Sequence, residues 1–125
     1  MNNTELITKA KSAEQCAHSP YSKIKVGAAL LCKNGKIYTG CNVENASYAA
    51  TICAERTAIA KAISEGERDF EAIAITSTLE EITPCGICLQ TLTEFAPQIK
   101  IITQKKGKPP TAHPLSKHLP TPFSL

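Results

Sequence analysis

Long apolar runs are missing from this chain: no stretch of its 125 residues approaches the eighteen or so uninterrupted apolar residues of a membrane span. Long runs of one charge are missing as well, so no segment has the composition of a solvated, disordered tail. Met1 to Lys11 is polar and contains Glu5, without the basic stretch and apolar core of a secretion signal. These absences make the cytoplasm the expected location. Internal repeats and interdomain linkers are also lacking, and the length suits a single domain, residues 1–125, around one main core. Aromatic residues make up 5% of the chain, and the lysine cluster Lys105, Lys106 and Lys108 has none interleaved. With a net charge of +3, this argues against a nucleic-acid polymer as partner and for a small, weakly charged substrate.

What is present is ordinary for a globular protein, with 42% apolar and 20% charged residues. Asn3 or Thr4 is placed to cap a first helix running to about Ala17, ended by His18-Ser19-Pro20. Ile24, Val26, Ala28 and Leu30 alternate as a strand. Asn34-Gly35 predicts a hairpin turn, since both residues tolerate positive φ, and Lys36 to Asn42 returns. A second helix is expected from Thr51 or Ile52 to Gly66, with Ala54, Ala58, Ile59, Ala62 and Ile63 on one apolar face. Phe70 to Thr76 is apolar on both sides, as in a central strand covered on both faces. A third helix, Gly86 to Ala96, and a strand, Ile99 to Thr103, follow. The short turn Gln104 to Lys108 favours an antiparallel return. Pro109 and Pro110 confine any fifth strand to an edge, and the remaining tail, residues 108–125, is proline-rich with a short helix over Leu115 to Leu119. The order predicts an α/β fold, a three-layer α/β/α sandwich with a mixed five-stranded sheet.

Six cysteines in such a chain are metal ligands, catalysts or buried apolar residues before they are disulfides. Cys16, Cys32 and Cys41 stand alone in apolar-patterned segments and read as buried thiols. Cys53-Ala54-Glu55 and Pro84-Cys85-Gly86-Ile87-Cys88 each open a predicted helix, where unsatisfied N–H groups and the macrodipole favour thiolate. Three thiolates, Cys53, Cys85 and Cys88, leave the fourth position of a tetrahedral zinc for water, the arrangement of catalytic zinc. Arg56, three residues after Cys53 on the same side of the helix, can offset the excess negative charge. Taken alone, Glu55 is a first-turn Glu favouring the helix dipole, and a lone Cys-x-x-Cys is weak. A closed structural zinc site would want a fourth ligand, and a redox pair would leave Cys53 and Glu55 unexplained. Together the segments match the pattern of metal ligand, x, Glu, then Pro-Cys-x-x-Cys of zinc deaminases, with Glu55 as the acid–base residue. His18, His113 and His118 read as loop or surface histidines.

At this point the sequence resembles the small, homotetrameric type of cytidine deaminase. The matching segments are Pro20-Tyr21-Ser22, Val26-Gly27-Ala28-Ala29-Leu30, Gly40-Cys41-Asn42-Val43-Glu44-Asn45-Ala46-Ser47-Tyr48, Cys53-Ala54-Glu55-Arg56-Thr57-Ala58 and Pro84-Cys85-Gly86. The resemblance implies a ribose held by Asn42 and Glu44, and a pyrimidine met by the backbone of Ala54 and Cys85. It also implies that Ala46, Tyr48 and Phe123 of neighbouring subunits approach the substrate. Three positions depart from the family's pattern. Ile24 stands where a Phe usually packs on the pyrimidine, Leu89 replaces an Arg after the last ligand, and the segment from Lys108 to Leu125 fits poorly.

The expected reaction is hydrolysis of cytidine or deoxycytidine at C4, giving uridine or deoxyuridine and ammonia, with Zn²⁺ as the only cofactor. A same-fold deaminase of another aminated heterocycle or a modified cytidine is one alternative, prompted by Ile24 and Leu89. A non-catalytic, zinc-stabilised binding protein is the other, and Glu55 argues against it.

Overall fold

A computed structural model describes all 125 residues. Helix α1 spans Asn3–Ala13 and tightens into a 3-10 turn over Glu14–Cys16. Its cap is Asn2, not Asn3 or Thr4: the Asn2 side chain accepts from the Glu5 N–H at 2.8 Å, and its amide donates to the Glu5 carboxylate at 3.3 Å. This exchange resembles a capping box, in which cap and third helical residue satisfy one another.

Strand β1 (Val26–Cys32) and β2 (Ile37–Cys41) form the expected hairpin. The turn differs from expectation in detail. Only Gly35 takes a positive φ, 92°, while Asn34 acts through its side chain, accepting from Lys36 N–H and donating to Glu67, both at 3.0 Å. The Gly35 N–H returns to the Cys32 carbonyl at 3.0 Å, so the connection is a three-residue turn closed by a left-handed glycine.

Helix α2 (Ala54–Ser64) begins later than Thr51 or Ile52. Ile52 is occupied otherwise: it exchanges two backbone hydrogen bonds of 2.9 Å with Val43, an isolated antiparallel bridge that holds the chain extended up to Cys53. Strand β3 (Phe70–Ser77), helix α3 (Gly86–Phe95), strand β4 (Lys100–Thr103), strand β5 (Thr111–Pro114) and the short α4 (Leu115–His118) complete the chain.

The sheet order is β2-β1-β3-β4-β5, antiparallel except for the β3–β4 pair. It is mixed and five-stranded, and β5 lies at the edge, just past Pro109 and Pro110. Alternate residues of the central strands feed two cores. Ala28, Leu30, Ile73 and Ile75 face the side covered by α2, α3 and α4, whereas Ala29, Leu31, Ala72 and Ala74 face α1. The result is the three-layer α/β/α sandwich. Full burial of a side chain such as Ile73 or Ile75 stabilises by about 1.5–3 kcal/mol, so this double-sided covering fixes β3 as the axis of the fold.

Two glycines set how closely helices approach the sheet. A Cβ on Gly27 would lie 1.9 Å from the Ala10 carbonyl oxygen of α1. A Cβ on Gly40 would lie 2.4 Å from the Ala54 oxygen and 2.6 Å from the Ala58 nitrogen, so Gly40 lets the first turn of α2 press onto β2. No helix is long and apolar enough to cross a membrane.

Candidate active site

Cys53 and Cys85 are the N-cap residues of α2 and α3, with extended backbones and no side-chain cap on either helix. The first N–H groups of both helices are therefore left without a side-chain cap, and the macrodipoles favour negative sulfur at these ends. Cys88 lies one turn into α3 and is fully buried. The three sulfurs converge within 4.8 Å of one another, with Cys53–Cys85 at 3.9 Å and Cys85–Cys88 at 3.5 Å. A tetrahedral ion with Zn–S bonds of ~2.3 Å requires sulfur separations of roughly 3.8 Å. The spacing fits zinc, and so does the donor chemistry. Cys53 is drawn down to about 5, chiefly by a hydrogen bond from Cys88 and then by the Arg56 guanidinium. Cys88 is pushed up by sharing that bond, by burial and by the nearby Glu55 charge. One thiolate forms readily and the next is resisted, as expected of clustered thiols that ionise together only when a cation offsets their charge. None of His18, His113 and His118 joins it.

Arg56 donates to the Thr51 carbonyl at 3.1 Å and to the Cys53 sulfur at 3.8 Å, the contact expected from its position one turn along α2. Leu89, by contrast, turns into the main core and is 5% exposed, so its position contributes packing and no charge. Of the remaining cysteines, Cys32 is buried as expected, Cys41 is half-buried, and Cys16 is exposed because the 3-10 turn after α1 rotates it outward.

Glu55 is 4% exposed in the first turn of α2. Burial raises its carboxyl to about 7, with the Cys53 charge adding to the rise. It lines a cleft of about 240 Å³ together with Cys53, Cys85, Ala54, Ile24, Asn42 and Glu44. Seven of the residues singled out from the sequence thus meet in one cavity, two of the thiols and Glu55 together with Asn42 and Glu44. Ser22, Val26, Thr51, Ile82 and Thr83 complete the lining and were not singled out. Ser22 stands in the Pro20-Tyr21-Ser22 segment, which is the signal that could have found it.

Asn42 and Glu44 also fasten the loop before β1. The Asn42 amide accepts from Val26 N–H at 2.9 Å and donates to the Ile24 carbonyl at 2.8 Å. Glu44 accepts from the N–H groups of Tyr21 and Ser22, at 3.0 and 3.1 Å, and from the Ser22 hydroxyl. The Ser22 hydroxyl, followed by these backbone bonds, holds the Glu44 carboxyl below the usual carboxylate range.

Three expected residues lie outside the cleft of the single chain. Ala46 is exposed. Tyr48 is 74% exposed and meets Tyr21 edge-on at 5.9 Å, beside a shallow depression that also contains Glu44 and Thr51. Phe123 is 69% exposed, its backbone gripped by Gln90, whose amide donates to the Phe123 carbonyl at 2.9 Å and accepts from its N–H at 3.2 Å.

Residues 1–104, which carry both helix N-termini and Glu55, match the family described as the cytidine and deoxycytidylate deaminase zinc-binding region. The chain belongs to that family. It is therefore a zinc-binding deaminase in fold and in its cysteine triad. Among relatives of this deaminase, a cytidine deaminase of Sporosarcina psychrophila is 50% identical over 96 residues, spanning 76% of this chain and 71% of that one. A blasticidin-S deaminase of Bacillus cereus is 30% identical over 96 residues, spanning 70% and 69%. The crystal structure of a cytidine deaminase from Burkholderia pseudomallei superposes with a TM-score of 0.93 at 41% identity, covering 98% of this deaminase and all of the other.

Proposed function

We propose that this deaminase hydrolyses cytidine and deoxycytidine to uridine and deoxyuridine, releasing ammonia, with one zinc held by Cys53, Cys85 and Cys88. The observation that carries the reading is that the buried Glu55 lines one cleft with Asn42, Glu44 and two of the three clustered thiols, Cys53 and Cys85. Zinc, when bound, supplies the Lewis acidity that makes water a nucleophile near neutral pH. The protein's own residues move the protons. A carboxyl near neutrality both takes and returns a proton. Glu55 accepts one from the attacking water and delivers it to the ring nitrogen so that C4 becomes electrophilic, then takes the second water proton from the hydroxyl added at C4 and hands it to the departing amine, which leaves as ammonia. Arg56 tempers the charge of Cys53, and the two helix N-termini do the same for Cys53 and Cys85. Asn42 and Glu44 bind the sugar, the backbone at Ala54 and Cys85 meets the ring, and Ile24 packs against it as an aliphatic wall.

Relatives named cytidine deaminase support this substrate. Ile24 in the cleft wall and the relative named blasticidin-S deaminase favour, as a second reading, another aminated heterocycle or a modified cytidine. Ammonia release across a panel of cytidine, deoxycytidine, cytosine and blasticidin S separates the two. Both nucleosides are expected to react and cytosine to be much poorer, since cytosine forgoes the sugar's contacts with Asn42 and Glu44. Cytosine turned over as well as cytidine, or release from blasticidin S alone, rejects the nucleoside reading.

A further inference from the structure

We propose that Ser22 is a positioning residue for the sugar end of the cleft, fixing the Glu44 carboxylate and tying it to the Ile24 backbone. The inference rests on the cytidine reading above. Ser22 makes three hydrogen bonds at this point. Its N–H donates to Glu44 Oε1 at 3.1 Å, its hydroxyl donates to Oε2, and the same oxygen accepts from Ile24 N–H at 3.0 Å. A hydroxyl has one proton to give. That proton is committed to Glu44, so Oγ is oriented and its lone pair is directed at Ile24.

Counting acceptor sites shows what remains for a sugar. A carboxylate offers about four lone-pair positions. Tyr21 N–H and Ser22 N–H fill Oε1, and the Ser22 hydroxyl takes one position on Oε2. One position is left, on the oxygen that Ser22 holds. Glu44 can therefore receive one sugar hydroxyl, whose direction Ser22 sets, and this suits ribose and deoxyribose alike.

The same serine connects the sugar end to the base wall. The Ile24 N–H is held by Ser22 and its carbonyl by Asn42, so both backbone groups of the residue lining the ring end are tied to the sugar-binding pair. Between them Lys23 has φ 64°, the left-handed region that is costly for a residue with a Cβ. The bonds on either side, with Lys23 N–H on the Ser19 carbonyl at 3.0 Å, hold it there.

Steady-state kinetics of zinc-loaded Ser22→Ala and Ser22→Thr test the proposal, with cytidine, deoxycytidine and 1-methylcytosine, a ring without a sugar. Calorimetric binding of uridine gives a readout independent of turnover. Loss of a hydrogen bond to a charged group is expected to raise KM for both nucleosides, and weaken uridine, about tenfold, with kcat within a factor of about three. Ser22→Thr is expected to restore most of the loss, and kcat/KM for 1-methylcytosine to fall much less than for cytidine. If the Ala variant does not fold, Ser22→Cys keeps the volume with a weaker hydrogen bond and carries the same pattern at smaller size. Unchanged KM and uridine affinity, equal losses with and without the sugar, or no rescue by Thr would overturn the role of Ser22. Wild-type protein that neither deaminates cytidine nor binds uridine would sink the substrate reading and this proposal with it. Wild-type turnover with an indifferent Ser22→Ala sinks this proposal alone.

Discussion

A carboxyl that is 4% exposed beside three thiols is expensive to keep unless it takes part in chemistry. Glu55 occupies that position, and its elevated proton affinity follows from burial. Glu55→Gln keeps the shape and removes the exchangeable proton. Its expected outcome is a folded protein with one zinc per chain by elemental analysis and turnover reduced by about 10²–10⁴-fold or more, because one group serves several transfers. A zinc-loaded variant retaining most of its activity would take Glu55 out of the mechanism. At this scale the ligand triad was readable from the chain because its spacings are local: Cys-x-Glu and Cys-x-x-Cys each fit within one helical turn. The segment Pro20-Tyr21-Ser22 could flag Ser22, but not its role, since its partner Glu44 lies 22 residues away and only folding joins them. Asn42 and Glu44 were legible as a polar pair but not as the clasp of the loop before β1, for the same reason. The exposure of Cys16 was missed because an apolar neighbourhood in sequence says little where a helix changes pitch.

At the scale of elements, the order of strands and helices followed from period and turn residues, and the errors fell at ends governed by distant pairing. The start of α2 moved to Ala54 because Ile52 bridges to Val43, a contact no local signal announces. The start matters, since it makes Cys53 the cap and aims its sulfur at Cys85. Gly40 guards this arrangement. A methyl group there would meet the backbone of Ala54 and Ala58, which cannot yield without moving the first turn of α2. Gly27 is the matched control, because a methyl group there meets α1, which carries no ligand. Gly40→Ala and Gly27→Ala are each expected to cost about 1–3 kcal/mol or more of stability by overpacking. Only Gly40→Ala is expected also to weaken zinc, measured by competition with a chelator on protein that is still folded. Equal zinc affinities in the two variants would show that the position of α2 is not set by Gly40.

For the whole molecule the question is what covers the cleft. Proline-rich as the tail is, residues 111–118 add the edge strand β5 and the short helix α4, and Leu115 is buried in the main core. Beyond Leu119 the chain changes character. Phe123 and Leu125 are exposed, and Gln90 holds the Phe123 backbone by both of its polar groups while the residue stays 69% exposed. A ring presented on a fixed backbone costs less conformational entropy to dock than one on a free end. Tyr48 is exposed in the same manner, at the rim beside Glu44. Ile52, Ile59, Ile63 and Phe95 line a largely apolar groove between α2 and α3, on the side that carries Arg56. We propose a homotetramer in which neighbours bring Tyr48 and Phe123 to each cleft, a reading these exposures support. Removing Thr121 to Leu125 should then raise KM for cytidine several-fold and leave zinc content unchanged, since no ligand lies in the tail. Light scattering of the intact and shortened chains, with kinetics on the same samples, is the measurement. A fully active monomer, or a shortened chain with unaltered KM, would mean that each cleft is closed by its own chain and that Phe123 is only a surface residue.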